Sequence, residues 1–331
     1  MKILIVGYGS IGKRHVENLL KLNYRNLIVC SKNKQANKLK KIGIFVTSNL
    51  DECLKQSPNI VFICNETSKH VDIAIKFAKN NCHLFIEKPL SDSLKRIKQL
   101  ETITKEKNLV SMVGCNMRFH QCINEIKSLI EKNKIGKIIS VQAECGSFLP
   151  DWHPWEDYRK SYASRKELGG GVILTCIHEI DYLMWMFGDV LKISSFTGKY
   201  SHLDINVEDL SAILLEFKNH IIGEIHLDFF QQPDAQNCKI IGETGTISWD
   251  SNHNKVTLYN NKLKKRSIIL EIKNYERNLM YLKEIDYFLQ CVRNKKNSFN
   301  TISDALRTLK VALSAKQSSK LNRHLSIKNS S

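Results

Sequence analysis

The sequence of 331 residues contains no apolar run that approaches the roughly 20 residues needed for a membrane-spanning helix. It has no charged and apolar leader before its first apolar segment, at residues 3–6, and no internal repeat or low-complexity segment. These absences argue against a membrane protein and a repeat protein. We therefore expect a globular protein of the cytoplasm that binds to no membrane.

Cysteine pairs at metal or disulfide spacing are also missing. The ten cysteines lie singly along the chain, with no CxxC pair and no zinc-ligand spacing. We expect reduced and mostly buried thiols, as is typical of a reducing compartment, and no metal site.

Acidic residues are fewer than basic ones. The chain has 33 Asp and Glu against 50 Lys and Arg, which gives a formal net charge of +17. The basic residues are spread along the chain rather than gathered in one block with interleaved aromatic residues, so solvated faces are favoured over a nucleic-acid site. We expect no nucleic-acid partner, although the excess positive charge would help to attract an anionic ligand.

A glycine motif at the N-terminus is the strongest signal that the chain does contain. Residues 2–6 are a short apolar run, residues 7–12 read GYGSIG, and residues 15–22 have apolar spacing compatible with a helix. Strand, glycine turn and helix in this order form the dinucleotide-binding fingerprint, with the pyrophosphate at the helix N-terminus. We predict cofactor contacts from Gly7, Tyr8, Gly9, Ser10, Ile11 and Gly12.

The rest of the pattern predicts an α/β protein of two domains. Up to about residue 115, apolar runs alternate with helical segments, which is typical of a Rossmann-type, doubly wound parallel sheet. The later strands alternate apolar and polar residues, which indicates an α+β domain with an open, largely antiparallel sheet. We place the NAD(P)-binding domain at residues 1–119 and a substrate-binding and oligomerisation domain at 120–331. The C-terminal helices could pack against the first domain instead of the second. We expect the chain beyond Ser318 to fray.

Cofactor-contacting residues should follow the strands of the first domain, because parallel sheets bind ligands at the carboxyl ends of their strands. After the second strand, Ser31 and Lys32 stand where an NAD-selective protein usually has Asp or Glu. A hydroxyl and a cation suit a 2′-phosphate, so we predict NADP, with NAD as the alternative if the lysine is merely solvated.

Two more loops carry polar residues at the same edge. Asn65 and Glu66 follow the fourth strand and suit the nicotinamide side, whereas His70 is equally well explained as a residue at a helix start. Glu87 and Lys88 follow the fifth strand, and the proline after them should hold Lys88 rigidly, where it can polarise a hydroxyl or carbonyl. After the sixth strand we predict substrate contacts from Asn116 and from Arg118 as an anion anchor.

A run of three glycines at 169–171 precedes an apolar segment in the second domain and permits a close backbone approach. Thr175, His178 and Asp181 follow at i, i+3 and i+6, which predicts one polar face of a single helix. A histidine in such a segment is often a core residue, and that interpretation stands beside an acid–base role.

Taken together, the glycine fingerprint with His15 behind it, the Glu87-Lys88-Pro89 triplet, the Asn116-x-Arg118-Phe119 segment and the glycine run before His178 resemble the Gfo/Idh/MocA family of NAD(P)-dependent oxidoreductases. The resemblance covers essentially the whole chain. It implies hydride transfer at a hydroxyl or ketone of a sugar, sugar nucleotide, inositol or related polyol. It also implies that Lys88 is the active-site lysine and His178 the acid–base residue. We further expect Asp181, three residues after His178, to orient the histidine as a third catalytic residue.

The sequence departs from the family pattern at two places. Many members have an aspartate one helical turn before the histidine, where this chain has Leu174 and Thr175, and the usual Thr-Pro after the fourth strand is replaced by Asn65-Glu66. A catalytically inactive cofactor- or sugar-sensing regulator on the same fold is therefore the alternative function.

The aromatic loop before the glycine run is where a sugar would be expected to bind. Trp152, Trp155 and Tyr158 could stack on a pyranose while Arg159 holds an anionic group, or the tryptophans could instead pack at the domain junction. As in the family, the exposed sheet face suggests a homodimer or homotetramer.

Overall fold

The structure is a computed structural model, and it describes residues 1–327. The chain forms two compact units. The first consists of Met1–Asn116 with Asn278–Leu309, and the second of Met117–Arg277 with the chain from Lys310 onward.

A six-stranded, all-parallel sheet forms the centre of the first unit, with the strand order β3-β2-β1-β4-β5-β6. Strands β1, β2 and β4 are buried along their whole length, as expected for a sheet covered on both faces. The order reverses between β1 and β4, which confirms the predicted doubly wound sheet. The strands are β1 (Ile3–Val6), β2 (Leu27–Cys30), β3 (Phe45–Thr47), β4 (Ile60–Ile63), β5 (His83–Glu87) and β6 (Ser111–Gly114).

Nine α-helices occur among residues 1–327, and amphipathic spacing explains the longer ones in the first unit. In the third helix, Val71, Ile75 and Ala78 are buried on one face while Lys79 is exposed, as the apolar spacing predicts. The helices are α1 (Ser10–Lys21), α2 (Leu50–Lys55), α3 (His70–Lys79), α4 (Ile97–Glu106), α5 (Gln121–Glu131), α6 (Val172–Thr175), α7 (His178–Phe187), α8 (Asn278–Arg293) and α9 (Ile302–Leu321).

The second unit is built on a nine-stranded sheet in the order β14-β13-β12-β11-β7-β10-β9-β8-β15. Strand β10 pairs parallel with β7, and the other neighbours are antiparallel, which confirms the predicted open, largely antiparallel sheet. The strands are β7 (Ile138–Gly146), β8 (Val190–Gly198), β9 (Leu210–Phe217), β10 (Ile222–Asp228), β11 (Ala235–Gly242), β12 (Gly245–Asp250), β13 (Lys255–Asn260), β14 (Lys265–Glu271) and β15 (Leu325–Ser326).

Alternation along these strands places one face of the sheet in the core. Ile213 and Leu215 on β9 are buried, whereas Ala212 and Leu214, which alternate with them, are exposed. Helices α5, α6 and α7 pack on the buried face. The other face carries the exposed side chains, because successive side chains of a strand point to opposite sides.

Two expectations about the helices were wrong. Thr175 and His178 do not share one helix, because α6 ends at Thr175 and Cys176, at ψ 35°, interrupts the helix before α7 begins at His178. The chain beyond Ser318 does not fray at once. Helix α9 continues to Leu321, and Ser318 and Ser319 accept hydrogen bonds from the backbone of β8, which fixes the end of this helix. The part of the expectation that concerns residues 328–331 lies outside the described residues.

Two further features concern residues 1–327. No helix in this part of the chain is both long and apolar enough to cross a membrane, and no group of three or more His, Cys, Asp and Glu side chains is placed to hold a metal ion. All ten cysteines are free thiols, and nine of them are buried.

Candidate active site

The glycine turn joins β1 to the N-terminus of α1. Gly12 packs so close to the turn that a Cβ at this position would lie 2.0 Å from the Gly7 carbonyl oxygen, so only glycine allows this approach of helix and strand. A Cβ on Gly9 would instead meet nothing within 4 Å. The backbone at Gly9 is therefore open to a ligand, and the N-terminal N–H groups of α1 suit its phosphates. These residues fit a dinucleotide.

A cavity of about 490 Å³ lies at the carboxyl ends of β2 and β3. Three lysines and several hydroxyl and amide side chains line it, and none of its lining residues is acidic. The sequence analysis identified Ser31 and Lys32 here but missed Lys40, Thr47 and Ser48, although the last two could have been found because they end and follow a strand. The lining residues are Ser31, Lys32, Asn33, Lys34, Asn37, Lys40, Val46, Thr47 and Ser48.

Asn33 links this cavity to the glycine turn. Its Nδ2 donates to the carbonyl oxygen of Tyr8 at 2.9 Å, and its Oδ1 accepts from the backbone N–H of Gln35 at 3.0 Å. The backbone N–H of Asn33 donates to Ser31 Oγ at 3.0 Å. The residues predicted to bind the pyrophosphate and those predicted to bind the 2′-phosphate are therefore connected by hydrogen bonds through Asn33.

Lys88 lies directly after β5, and its peptide bond to Pro89 is cis. The residue before it, Glu87, is buried, and both oxygens of its carboxyl group make polar contacts. Oε1 of Glu87 lies 2.5 Å from Nε2 of His15, and Oε2 accepts from the backbone N–H of Lys88 at 3.3 Å. The Glu87 carboxyl therefore links His15 on α1 to the backbone of the loop that carries Lys88.

His70 does not present a free ring to a cofactor. It is almost completely buried, and its two ring nitrogens lie 2.9 Å from the carbonyl oxygen of Pro89 and 3.0 Å from that of Asn65. Burial lowers the pKa of His70 below its usual value. The ring connects the loop after β4 with the loop after β5. In the β4 loop, Glu66 is half-buried and lies 3.3 Å from Lys69.

Arg118 and Asp181 form a buried ion pair in the second unit. Nε and Nη2 of Arg118 each donate to one carboxylate oxygen of Asp181 at 2.8 Å, and the side chains are 6% and 1% exposed. The guanidinium also lies 5.7 Å from the ring centre of Trp185. Asp181 therefore has both oxygens engaged by Arg118, a partner that the sequence analysis did not assign to it. Asn116 lies in the first unit, where its Nδ2 is 3.3 Å from Sδ of Met280.

The glycine run shapes the entry to α6. Gly171 has φ +104°, which favours glycine, and a Cβ on Gly170 would lie 2.2 Å from the backbone carbonyl oxygen of Tyr162, so a side chain would not fit at Gly170. The backbone N–H of Val172 donates to the Glu208 carbonyl oxygen at 3.0 Å. Thr175 is buried at the end of α6, and His178 is half-buried at the start of α7. The close backbone approach predicted for the glycine run is present.

The residues of the aromatic loop differ in their surroundings. Trp152 is half-buried, donates from Nε1 to Ser147 Oγ at 2.6 Å and packs edge-on against Phe229, so its ring is held in a fixed position within the second unit. Trp155 is 77% exposed. Tyr158 accepts from the backbone N–H of Asp204 through its hydroxyl.

Arg159 makes local ion pairs. It donates from Nε and Nη2 to the two carboxylate oxygens of Asp157, and its Nη1 is 3.9 Å from Asp204. Its charge is thus already partly balanced by carboxylates.

The predicted site residues fall into one group in each unit. The first unit brings together the glycine turn, the lysine-lined cavity and the loops of Asn65 and Lys88 at the carboxyl edge of its sheet. The second unit brings Arg118 together with Asp181. Asp181 lies on α7, the helix that begins at His178.

Two family models match the chain, one to each part. The model described as the oxidoreductase family with an NAD-binding Rossmann fold matches residues 1–115, and the GFO/IDH/MocA C-terminal domain matches residues 123–248. Together they cover more than half of the chain, which confirms the resemblance inferred from the motifs.

Proteins of this family are also found among the relatives and the solved structures. The scyllo-inositol 2-dehydrogenase (NAD(+)) of Bacillus subtilis is 26% identical over 332 residues, covering 96% of this chain and 94% of its own. A levoglucosan dehydrogenase in complex with NADH has the same fold at a TM-score of 0.89 and 16% identity, covering all of both chains. The WlbA dehydrogenase of Bordetella pertussis, in complex with NADH and UDP-GlcNAcA, matches at a TM-score of 0.82 and 19% identity, over 100% and 99% of the two chains.

The motifs, the two-part fold and both family models agree. The chain therefore belongs to the GFO/IDH/MocA family of NAD(P)-dependent oxidoreductases, with an NAD-binding Rossmann domain at its N-terminus.

Proposed function

We propose that the protein is an NADP-preferring dehydrogenase or reductase that acts on a CH–OH or ketone carbon of a sugar, a sugar nucleotide or a related polyol. The observation that carries the cofactor preference is the cavity beside the glycine turn with its three lysines. The substrate class is supported by the inositol dehydrogenase relative and by the solved structure with a nucleotide-linked sugar.

The charge of the cavity favours a 2′-phosphate. Lys32, Lys34 and Lys40 supply ammonium groups, and Ser31 and Thr47 supply hydroxyls. A phosphate dianion is bound well by such donors, whereas the ribose hydroxyls of NAD usually need a carboxylate acceptor, which no lining residue offers. NAD is the alternative cofactor, and the NAD(+)-dependent relative supports it.

We assign the chemical roles as follows. Lys88 polarises the substrate oxygen through its ammonium group, and His178 takes the hydroxyl proton during oxidation or returns it during reduction. When bound, the cofactor supplies a hydride acceptor or donor at nicotinamide C4. Asp181 acts with Arg118 to hold the first turn of α7, which begins at His178.

We propose that the aromatic loop of the second unit contributes substrate contacts. Trp155 is exposed and suited to stack on a sugar face, and Tyr158 and Arg159 follow in the same loop. The remaining proposed contacts are Asn116, Arg118, Trp152 and Thr175. We propose that Arg159 binds an anionic group of the substrate. The contact of its Nη1 with Asp204 is as long as 3.9 Å, so this part of the guanidinium is only weakly paired.

Cofactor preference is tested by titrating NADP+ and NAD+ into the wild type and into Lys32→Ala by calorimetry. We expect the variant to bind NADP+ about 10- to 100-fold more weakly, because one charge-assisted contact is worth about 1.5–3 kcal/mol. Binding of NAD+ should stay within about twofold of the wild type. Lys38→Ala is the matched control, since Lys38 is exposed on the same segment but does not line the cavity. Equal affinity of the wild type for both cofactors would refute the NADP preference.

Catalysis is tested with a panel of sugars, nucleotide sugars and inositols, following the absorbance of the reduced cofactor. Lys88→Ala should lower kcat at least about 100-fold while cofactor affinity stays nearly unchanged, as expected for a group that acts on the substrate oxygen. Unchanged turnover in Lys88→Ala would contradict its assignment. Tight cofactor binding without turnover of any substrate would favour the regulator.

We further propose that the second unit associates with a second copy of the chain through its open sheet face, giving a homodimer or a homotetramer. Phe196, Leu214 and Ile222 are exposed on this face, on three neighbouring strands. We place the enzyme in the cytoplasm, because its ten free thiols suit a reducing compartment.

A further inference from the structure

The loop that carries Lys88 is held by two buried histidines that the roles assigned above do not use. His15 is completely buried on α1, where its ring packs between Phe62 and Phe85. Its Nε2 faces Glu87 Oε1 at 2.5 Å, and its Nδ1 has no hydrogen-bond partner among residues 1–327. Because a carboxylate only accepts, we assign the ring proton to Nε2.

Glu87 passes this contact on to Lys88. Its second oxygen, Oε2, accepts from the backbone N–H of Lys88 at 3.3 Å. The helix that begins at the glycine turn is therefore connected to the backbone of Lys88 through His15 and the Glu87 carboxyl. A buried carboxyl with both oxygens in use has little freedom to rotate, so the amide plane before Lys88 has a defined orientation.

The second histidine holds the other side of the same residue. Nδ1 of His70 is 2.9 Å from the carbonyl oxygen of Pro89, the residue after Lys88. Its Nε2 is 3.0 Å from the carbonyl oxygen of Asn65, in the neighbouring loop. A neutral imidazole donates from one nitrogen only, and we assign the His70 ring proton to Nδ1, the nitrogen with the shorter contact. Lys88 thus lies between two backbone positions that are bonded, directly or through Glu87, to a buried imidazole.

We propose that His15 and His70 are positioning residues for Lys88, which fix its backbone so that the ammonium group reaches the substrate oxygen. Neither histidine is assigned a contact with substrate, because both rings are buried and face protein groups. The inference rests on the proposed role of Lys88. A displacement of about 1 Å of a positioned group can cost about 100-fold in rate, so such buried contacts affect turnover.

The experiment compares His15→Leu, His15→Gln and His70→Leu with the wild type. Hydrogen–deuterium exchange of a peptide covering residues 84–92 reports on the Lys88 backbone without any substrate. We expect exchange there to be at least about fivefold faster in both leucine variants, since a hydrogen-bonded amide is protected until its contact opens. His15→Gln keeps an N–H donor and should restore most of the protection. His83→Gln is the matched control, because His83 lies at the opposite end of β5 and bonds to Val110.

Kinetics supply the second readout. In the leucine variants kcat should fall about tenfold or more, while substrate KM and cofactor affinity stay within about threefold, because positioning acts on the chemical step. If His15→Leu does not fold, Glu87→Gln replaces it, since an amide whose oxygen accepts from the Lys88 N–H turns its NH2 group towards the protonated Nε2 of His15 and loses that hydrogen bond.

The outcomes are separable. Exchange that is unchanged in folded leucine variants overturns the positioning role, whatever the activity. A wild type that turns over no substrate refutes the proposed function, whereas the exchange experiment still decides whether the histidines hold the loop. Equal loss of protection in His83→Gln would also overturn the proposal, because the effect would then be general to β5.

Discussion

At the scale of single residues, Arg118 and Asp181 form a buried, bidentate ion pair in the second unit. Removal of two charges from water costs several kcal/mol per ion, and the two parallel hydrogen bonds at 2.8 Å offset this cost. The two side chains depend on each other, since either one alone would be a buried charge without its counter-ion. Their spacing of 63 residues means that no local pattern reveals the pair.

Loss of one partner should be far more damaging than loss of both. We expect Asp181→Leu to lower the free energy of unfolding by about 3–5 kcal/mol, because the buried guanidinium loses the carboxylate that balances its charge. The double variant Arg118→Met with Asp181→Leu should recover most of this loss. Urea unfolding measures both values.

The matched control for this prediction is the ion pair of Arg165 with Glu167, which lies in the same unit but is nearly half-exposed. Arg165→Met should change the free energy of unfolding by about 1 kcal/mol or less. Equal costs for the single and double changes at 118 and 181 would contradict the coupling.

At the scale of secondary-structure elements, the N-terminus of α5 shows how a buried histidine can make a helix sensitive to pH. His120 is the N-cap of α5, and its Nδ1 accepts from the backbone N–H of Cys122 at 3.2 Å. The ring packs against Trp249 and Tyr275. Burial, and then the charge of Arg277, lowers the pKa of His120 to about 4. The cap requires the neutral ring, because a protonated Nδ1 cannot accept.

Acid should therefore destabilise the second unit through this cap. The unfolded histidine has a pKa of about 6.5 and binds a proton more readily than the folded one, so the stabilisation is complete above pH 6.5. It is lost as the pH falls towards 4, by at most about 3 kcal/mol. His120→Asn keeps a capping acceptor that does not titrate. Urea unfolding between pH 4.5 and pH 7.5 should show a shallower loss in the variant, and parallel pH profiles would rule out this role.

Most elements could be predicted because their causes are local. The strand before Gly7 and the buried face of α3 follow from apolar spacing within a few residues. The break between α6 and α7 could not, because Thr175, His178 and Asp181 keep helical spacing across it. A single residue with non-helical dihedral angles, Cys176, interrupts the helix, and no glycine or proline marks the break in the sequence.

At the scale of the whole molecule, the exposed face of the nine-stranded sheet is the surface that suits self-association. Phe196 is 71% exposed and Leu214 55%, and both point away from the buried face because their strand neighbours Ser195 and Ile213 are buried. Ion pairs such as Lys192 with Glu216 lie on the same face. Interfaces between copies of a chain have an apolar core and a polar rim, so we expect Phe196 and Leu214 at the core and the Lys192–Glu216 pair at the rim.

Charges introduced on this face should separate the copies. We expect the wild type to have at least twice the mass of the chain by light scattering after size exclusion, and Phe196→Glu with Leu214→Glu to have the mass of one chain. Burial of an unpaired charge in an apolar contact is costly, which is the basis for the expectation. Leu263→Glu is the control, since Leu263 is 72% exposed in the turn between β13 and β14. A wild type that is monomeric at micromolar concentration would refute the interface.

The sequence by itself determined the two-part α/β fold, the glycine turn and the identity of Lys88 and His178 as candidates. Each of these depends on residues close together in the chain, where spacing reflects helix and strand geometry directly. Only the tertiary structure decided which groups meet. The lysine-lined cavity gathers Ser31, Lys40 and Thr47 from three segments, and Asp181 meets Arg118. His15 meets Glu87 across 72 residues. Such contacts depend on which strands become neighbours, and no pattern within one segment specifies that.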